Sequence, residues 1–273
     1  MRTFAQHYKY LFDDWDRLEK TLRSKFLFLF LDYDGTLTPI GETPDKTVIS
    51  KERRSLLNKL SKSPHCRVAI ISGRSLSDIK TLIGLKNIIY AGNHGLEIKG
   101  LKIKFSSHLK SIIRHIYEDL ANKLSKIKGI LIEDKGLTIS VHYRLVDEKD
   151  IKEFLNIFNE ITNPYLACDK IKIDAGKKVY EIKPPVAWDK GKAVLWLIAR
   201  QKFLSGENNI FPIYIGDDVT DEDAFLALKD KGLTVFVGER GVSKAGYYLN
   251  NTEEVIEFIR RILELKKDEI CQN

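Results

Sequence analysis

The sequence predicts an α/β fold, a doubly wound parallel sheet carrying an inserted α+β cap domain. Three observations point there. Short apolar runs alternate with helix-period patterns, most of those runs end in polar or glycine-rich segments, and the alternation breaks once, in mid-chain. A short apolar run bounded by turn signals suits a strand covered on both faces, as helices cover a parallel sheet.

The runs are Phe26 to Leu31, Arg67 to Ile71, Ile88 to Ala91, Phe211 to Ile215 and Leu233 to Val237. Helical patterns lie between them at Val48 to Ser61, Ser75 to Ile83, Lys190 to Lys202 and Asp221 to Leu228. Strands and helices in alternation build a sheet with crossover connections. Such sheets bind ligands beyond the carboxyl ends of their strands. The first four runs end there in Asp32, in Ser72-Gly73-Arg74, in Gly92-Asn93-His94-Gly95 and in Gly216-Asp217-Asp218. Upstream, Phe4, Tyr8, Leu11, Trp15, Leu18 and Leu22 recur at steps of four and three residues, which predicts one helix face. That face packs on the core or serves an oligomer seam.

Mid-chain, a helix over Ser107 to Ile127 precedes two strands, Gly129 to Asp134 and Leu137 to Arg144, around Lys135-Gly136. A helix over Glu148 to Ile161 precedes a second pair, Tyr165 to Asp174 and Lys177 to Ile182, around Gly176. This order does not fit a crossover sheet. Residues 105–183 are therefore expected to form a cap, with the core made of residues 1–104 and 184–273. Residues 101 to 183 hold 16 Lys and Arg against 12 Asp and Glu, a net +4 of the chain's +7. A positive insert suits a phosphorylated substrate.

Composition narrows the function. Apolar residues make up 43% and charged residues 30%, an ordinary globular balance. No run reaches the length of about eighteen apolar residues that a membrane span needs. The N-terminus has no signal-peptide pattern. Cys66, Cys168 and Cys271 are odd in number and widely spaced, which fits a reducing, cytoplasmic setting. The basic residues are mixed with acids along the whole chain and accompany no nucleic-acid motif. Neither nucleic acid nor membrane is an expected partner.

The chemistry concentrates after the first strand, in Asp32-Tyr33-Asp34-Gly35-Thr36-Leu37-Thr38. Two carboxylates two residues apart can both reach a ligand at the strand end, and Gly35 lets the chain turn sharply. A carboxylate can attack phosphorus to give an acyl phosphate. Its neighbour can protonate the leaving oxygen and then take a proton from the hydrolytic water. Asp32 is the expected nucleophile and Asp34 the expected general acid and base.

This segment resembles the first motif of the haloacid dehalogenase superfamily, and three further motifs follow in the family's order. Ser72 in ISGR resembles the second, whose hydroxyl holds a phosphoryl oxygen. Lys190 in WDKGKA resembles the third, a cation that neutralises nucleophile and phosphate. GDDVTDEDAF, residues 216–225, resembles the fourth, which supplies metal carboxylates. An anionic nucleophile approaching an anionic ester needs a compensating cation, so magnesium is the cofactor implied. Asp32, the backbone carbonyl of Asp34 and Asp217 would be its ligands, with Asp218 as a ligand or a support. Asp221 either orients the cluster or caps the next helix. Gly73 and Arg74 are assigned to the substrate side, although Arg74 also fits a solvated helix start.

Within the superfamily the sequence resembles the trehalose-6-phosphate phosphatases. Phe225 and the extended acidic tail of the fourth motif belong to that pattern, as do Asn93, His94 and Glu97 in GNHGLE. His142-Tyr143-Arg144 and Lys178-Val179-Tyr180-Glu181-Ile182-Lys183-Pro184 resemble its cap strands. The resemblance implies that Arg144, Lys178, Glu181 and Lys183 meet a phosphorylated disaccharide, with a trehalose-phosphate synthase as a pathway partner. Alternation puts Glu181 and Lys183 on one strand face, where they could accept sugar hydroxyl protons and steer phosphate, an ordinary cross-strand ion pair being the alternative. Lys183 stands where the family often has arginine, and lysine lacks the planar fork. Phosphates of glucosylglycerol, sucrose or mannosylglycerate remain alternative substrates.

Overall fold

The computed structural model describes residues 8–41, 43, 47–98, 107–239 and 241–271. The chain divides into two compact units, Met1–Gly100 with Trp188–Asn273 and Leu101–Ala187. The second unit begins and ends four residues outside the expected insert.

The first unit is built on β2, Phe26–Leu31, whose last five residues are fully buried. Leu27, Leu29 and Leu31 join one core with the helices α2 (Lys51–Ser61), α3 (Leu76–Ile83) and α8 (Thr252–Cys271). Phe28 and Phe30 take the opposite face and stack at 4.2 Å. An all-apolar strand tolerates this only in the middle of a sheet. Among the described residues the sheet has eight strands. β10 (Ile210–Gly216) and β3 (Cys66–Ile71) flank β2 in parallel, with β11 (Leu233–Val237) outside β10 and β4 (Ile89–Gly92) outside β3. All five expected runs are therefore strands of one parallel sheet.

The edges differ from expectation. The helix expected through Tyr8 begins only at Trp15: α1 spans Trp15–Arg23, after a 3-10 turn over Leu11–Asp14 and a short strand, β1, at Lys9–Tyr10. β1 runs parallel to β12 (Tyr247–Leu249), which lies beside β11. Tyr8, Leu11, Leu18 and Leu22 are all buried, so the spacing marked burial correctly but joined two kinds of element. Phe4 lies outside the described residues. β5 (Glu97–Ile98) adds an antiparallel edge to β4.

The second unit is a four-stranded antiparallel sheet, β6 (Leu131–Asp134), β7 (Ile139–His142), β9 (Val179–Lys183) and β8 (Lys172–Gly176) in spatial order. Helices α4 (Ser107–Leu124) and α5 (Glu148–Ala167) bury Ile116, Leu120, Phe154 and Phe158 against Ile139, Val141 and Ile182. The strand expected over Tyr165 to Asp174 starts late. α5 continues through Pro164 to Ala167, and β8 starts at Lys172. Pro164 and Glu160 are exposed, so water can satisfy the carbonyl that the missing N–H leaves open. No helix among the described residues is long and apolar enough to cross a membrane.

Candidate active site

Register assembles the site. Leu31 pairs with Ile215 and with Ile70, so the residues that follow these three strands emerge side by side. The Asp32 amide donates to the Ile215 carbonyl at 3.0 Å, which fixes the carboxylate beside Gly216-Asp217. The chain then turns at Gly35, whose φ is +88°. A Cβ there would lie 2.1 Å from Asp217 Oδ2, so the position excludes a side chain on two grounds. Thr36 Oγ1 donates to Asp217 Oδ1 at 3.2 Å, and the buried Tyr33 hydroxyl donates to the Thr47 carbonyl at 3.0 Å.

Lys190 is the first residue of α6, Lys190–Ser205, with Asp189 as its cap. A cation there opposes the helix dipole. Its ammonium is 2% exposed and donates to Asp32 Oδ1 at 2.8 Å and Asp221 Oδ1 at 2.7 Å. Asp221 also accepts from the Tyr214 hydroxyl at 2.6 Å and from the Asp218 amide at 3.0 Å. It makes no side-chain cap to α7 itself, Glu222–Ala227, but through the Asp218 amide it completes a capping box on the 3-10 turn Val219–Asp221 that leads into α7, so the structure gives it both expected roles.

The electrostatics are lopsided. Oxygens of Asp32, Asp217 and Asp221 lie within 4.8 Å of one another, all buried. Burial would lower the Lys190 ammonium, but Asp221 and Asp32 outweigh it and hold the group well above its usual value. Burial pushes the Asp32 carboxyl well up; Lys190 opposes this, while Asp221 and Asp217 reinforce it. Among the described residues the group brings three buried acids together with the Lys190 ammonium, and its potential ligand atoms are all hard oxygens. That set fits a divalent cation. Asp218, expected as a ligand or a support, lies next to this group, in the capping box with Asp221.

A second group lies on the β3 side. Arg74 Nε and Nη2 donate to Asp34 Oδ2 and Oδ1, both at 2.7 Å, and Nη1 donates to Asp78 Oδ2 at 3.0 Å. The buried Ser72 Oγ accepts the Arg74 amide at 3.1 Å, and the His94 amide donates to the Ser72 carbonyl at 3.0 Å. Asn93 and His94 both have left-handed backbones, φ 48° and 54°. A Cβ on Gly73 would meet His94 Cε1 at 2.8 Å. Glu97 Oε2 accepts from Asn93 Nδ2 at 2.8 Å and from the Leu76 amide at 2.9 Å. The structure thus gives Asn93 and Glu97 a loop-bracing task that their expected substrate role did not include.

The inserted unit presents its own cluster. Glu133, Ser140, Glu181 and Asp174 are directly opposed across the four strands, so they share one face. Glu181 is 9% exposed, accepts from the Ser140 hydroxyl, and takes Lys135 Nζ at 3.3 Å. Lys183 pairs with Asp174, and His142 Nε2 lies 2.7 Å from Glu133 Oε2. Lys178 stands in the turn before β9 with φ 66°, its ammonium 5.6 Å from the Tyr143 ring centre. Arg144 Nη2 donates to the Lys177 carbonyl at 3.1 Å. Sequence reasoning missed Tyr214, Asp78, Lys135 and Ser140. Tyr214 alone gave a signal, as the one hydroxyl in an otherwise apolar stretch of strand.

Fold and site together define a phosphoric monoester hydrolase of the haloacid dehalogenase type. The family model described as Trehalose-phosphatase matches residues 30–252. The chain is 35% identical to the Arabidopsis thaliana "Probable trehalose-phosphate phosphatase I" over 93% of its own length and 72% of that protein's. It is 34% identical to the Zea mays "Trehalose 6-phosphate phosphatase RA3", covering 89% and 72%. The C-terminal domain of C. albicans trehalose-6-phosphate phosphatase superposes with a TM-score of 0.79 at 24% identity, over 95% of this chain and 99% of that one. This chain belongs to the trehalose-phosphatase family.

Proposed function

We propose that the protein hydrolyses trehalose 6-phosphate to trehalose and phosphate, with Asp32 as nucleophile and magnesium as cofactor. The observation that carries this reading is the Asp32 carboxylate, buried at the end of β2 and held by Lys190 at 2.8 Å. An Asp32 oxygen attacks phosphorus, the bond from phosphorus to the sugar oxygen breaks, and Asp34 gives that oxygen its proton. Asp34 then accepts a proton from water as the water oxygen attacks phosphorus, releasing phosphate and restoring Asp32. Ser72 and Lys190 hold phosphoryl oxygens through both steps. Asp32, Asp217 and the Asp34 carbonyl would hold the magnesium, with Asp218 as a further ligand or a support and Asp221 beside them. Bound there, the ion neutralises charge between two anions that must approach each other.

Phosphate chemistry is common to every sugar phosphate, so selectivity needs other groups. Glu181, Lys183, Lys178 and Arg144 are the proposed sugar readers. A trehalose-phosphate synthase would supply the substrate. The free thiols of Cys66 and Cys168 favour a cytoplasmic setting.

The test is phosphate release from trehalose 6-phosphate, glucose 6-phosphate, sucrose phosphate and glucosylglycerol phosphate, with magnesium and with chelator. Trehalose 6-phosphate should be turned over fastest, and only with the metal. Turnover in excess chelator overturns the metal assignment, and equal turnover of glucose 6-phosphate overturns the substrate.

A further inference from the structure

Asp34 needs aim as well as acidity. A general acid works only within hydrogen-bond reach of the oxygen it protonates, about 2.6–3.2 Å. Yet the Asp34 side chain is 36% exposed and sits in a loop, where an unrestrained carboxylate samples several rotamers. Two parallel bonds from one planar guanidinium fix both the position and the plane of a carboxylate. Arg74 makes that fork with Asp34, and is itself only 8% exposed. The Tyr33 ring lies 5.4 Å from its Cζ. Its remaining Nη1 is held by Asp78. Asp78 stands in the first turn of α3, where its amide donates to the Ser75 cap at 3.2 Å. A rigid helix start is thus linked through Asp78 and Arg74 to the carboxylate of Asp34.

We propose that Asp78 and Arg74 are positioning residues for Asp34, so that they govern proton delivery to the leaving group and do not bind the phosphate. This rests on the assignment of Asp34 as general acid. It also gives Arg74 a different task from the substrate contact expected from its motif.

Leaving groups separate the two tasks. The sugar oxygen leaves as an alkoxide unless protonated, whereas para-nitrophenolate needs no proton. The specificity constant kcat/KM reports events only through the first irreversible step, here transfer of phosphate to Asp32. In the magnesium-loaded full chain, Asp78→Asn should lower kcat/KM for trehalose 6-phosphate about tenfold, as misplacement of a catalytic group does. It should leave para-nitrophenyl phosphate within about twofold on the same reasoning. Arg74→Lys keeps the charge but loses the fork, and should shift the ratio of the two constants the same way by a larger factor. Melting temperatures check that both variants fold. Equal losses for both substrates, or losses confined to KM, would make Arg74 a phosphate contact and overturn the proposal. Unchanged constants in both variants overturn it too. If the wild type turns over neither ester, the hydrolase reading itself fails and the inference falls with it.

Discussion

The two units hold charge in opposite ways. In the first, Lys190 is paired with Asp32 and Asp221, and the buried Asp217 joins those two acids in one group. On the sheet face of the second, three acids each lie against a basic side chain: Glu181 against Lys135, Asp174 against Lys183 and Glu133 against His142. Exposure follows the same division. Lys190 is 2% exposed, against 10% for Lys135 and 21% for Lys183. Burying unbalanced charge costs several kcal/mol per ion, so it persists where a counter-ion is part of the working state. A balanced array of donors and acceptors suits a neutral polyol, whose hydroxyls do both. On the proposed reading the first site takes a cation and the second takes the hydroxyls of a sugar.

The sharpest way to break this contrast is Asp32→Asn. Turnover should fall by more than about a thousandfold, since the nucleophile is gone. The metal-free protein should nevertheless be at least as stable as metal-free wild type at neutral pH. Burial, Asp221 and Asp217 raise the Asp32 carboxyl well above its usual 3.8. The folded metal-free chain therefore binds that proton more tightly than the unfolded chain does. Stability is full below the unfolded value and drains away as pH climbs through the raised folded one. Asparagine carries no such proton and removes the loss. Urea midpoints measured in chelator decide the matter: a clearly lower midpoint for the variant would mean that the carboxylates are not in excess.

Much of the first unit was legible because burial on both faces leaves a plain mark, as in Phe26–Leu31. Strand ends then located Asp32, Ser72 and Asp217 before any contact was known. Periodicity failed where it sums over elements. Tyr8 and Leu11 bury as a helix face would, yet Tyr8 precedes a strand and Leu11 opens a 3-10 turn. The helix expected over Glu148 to Ile161 runs on to Ala167 through Pro164, because an exposed last turn tolerates proline. Asp221 stayed ambiguous because a cap and a cluster member are spelled alike, and it is both: its side chain accepts from the Asp218 amide as well as from Lys190 and Tyr214. Long-range pairs such as Arg74 with Asp34 leave no spacing signal at all.

The second site yields to smaller changes. Glu181→Ala removes the acid of the buried Glu181–Lys135 pair and leaves the Ser140 hydroxyl without that acceptor. Losing one charged sugar contact costs on the order of 2 kcal/mol, or about thirtyfold in kcat/KM for trehalose 6-phosphate. Para-nitrophenyl phosphate has no sugar and should be spared. Equal losses would show that Glu181 supports the fold of its sheet and reads nothing.

The smallest effect, and the finest test of the balanced face, is expected at Lys178. A lysine at φ 66° holds a backbone conformation that costs about 1 kcal/mol relative to glycine. Its ammonium recovers about 0.5–1 kcal/mol from the Tyr143 ring. Lys178→Gly removes both terms, so thermal stability should stay nearly constant, and any change in activity reports on the ammonium and not on folding. Strained side-chain conformations persist where a function requires the group they carry. If the ammonium meets the substrate, kcat/KM for trehalose 6-phosphate should fall about fivefold, as loss of a partly solvated charged contact does, with the aryl ester unchanged. If both esters are handled as before, Lys178 serves only its turn, and sugar reading contracts to the Glu181 row. If stability rises while selectivity drops, the turn is strained in order to hold the ammonium, and the matched face continues past the strands into the turn before β9.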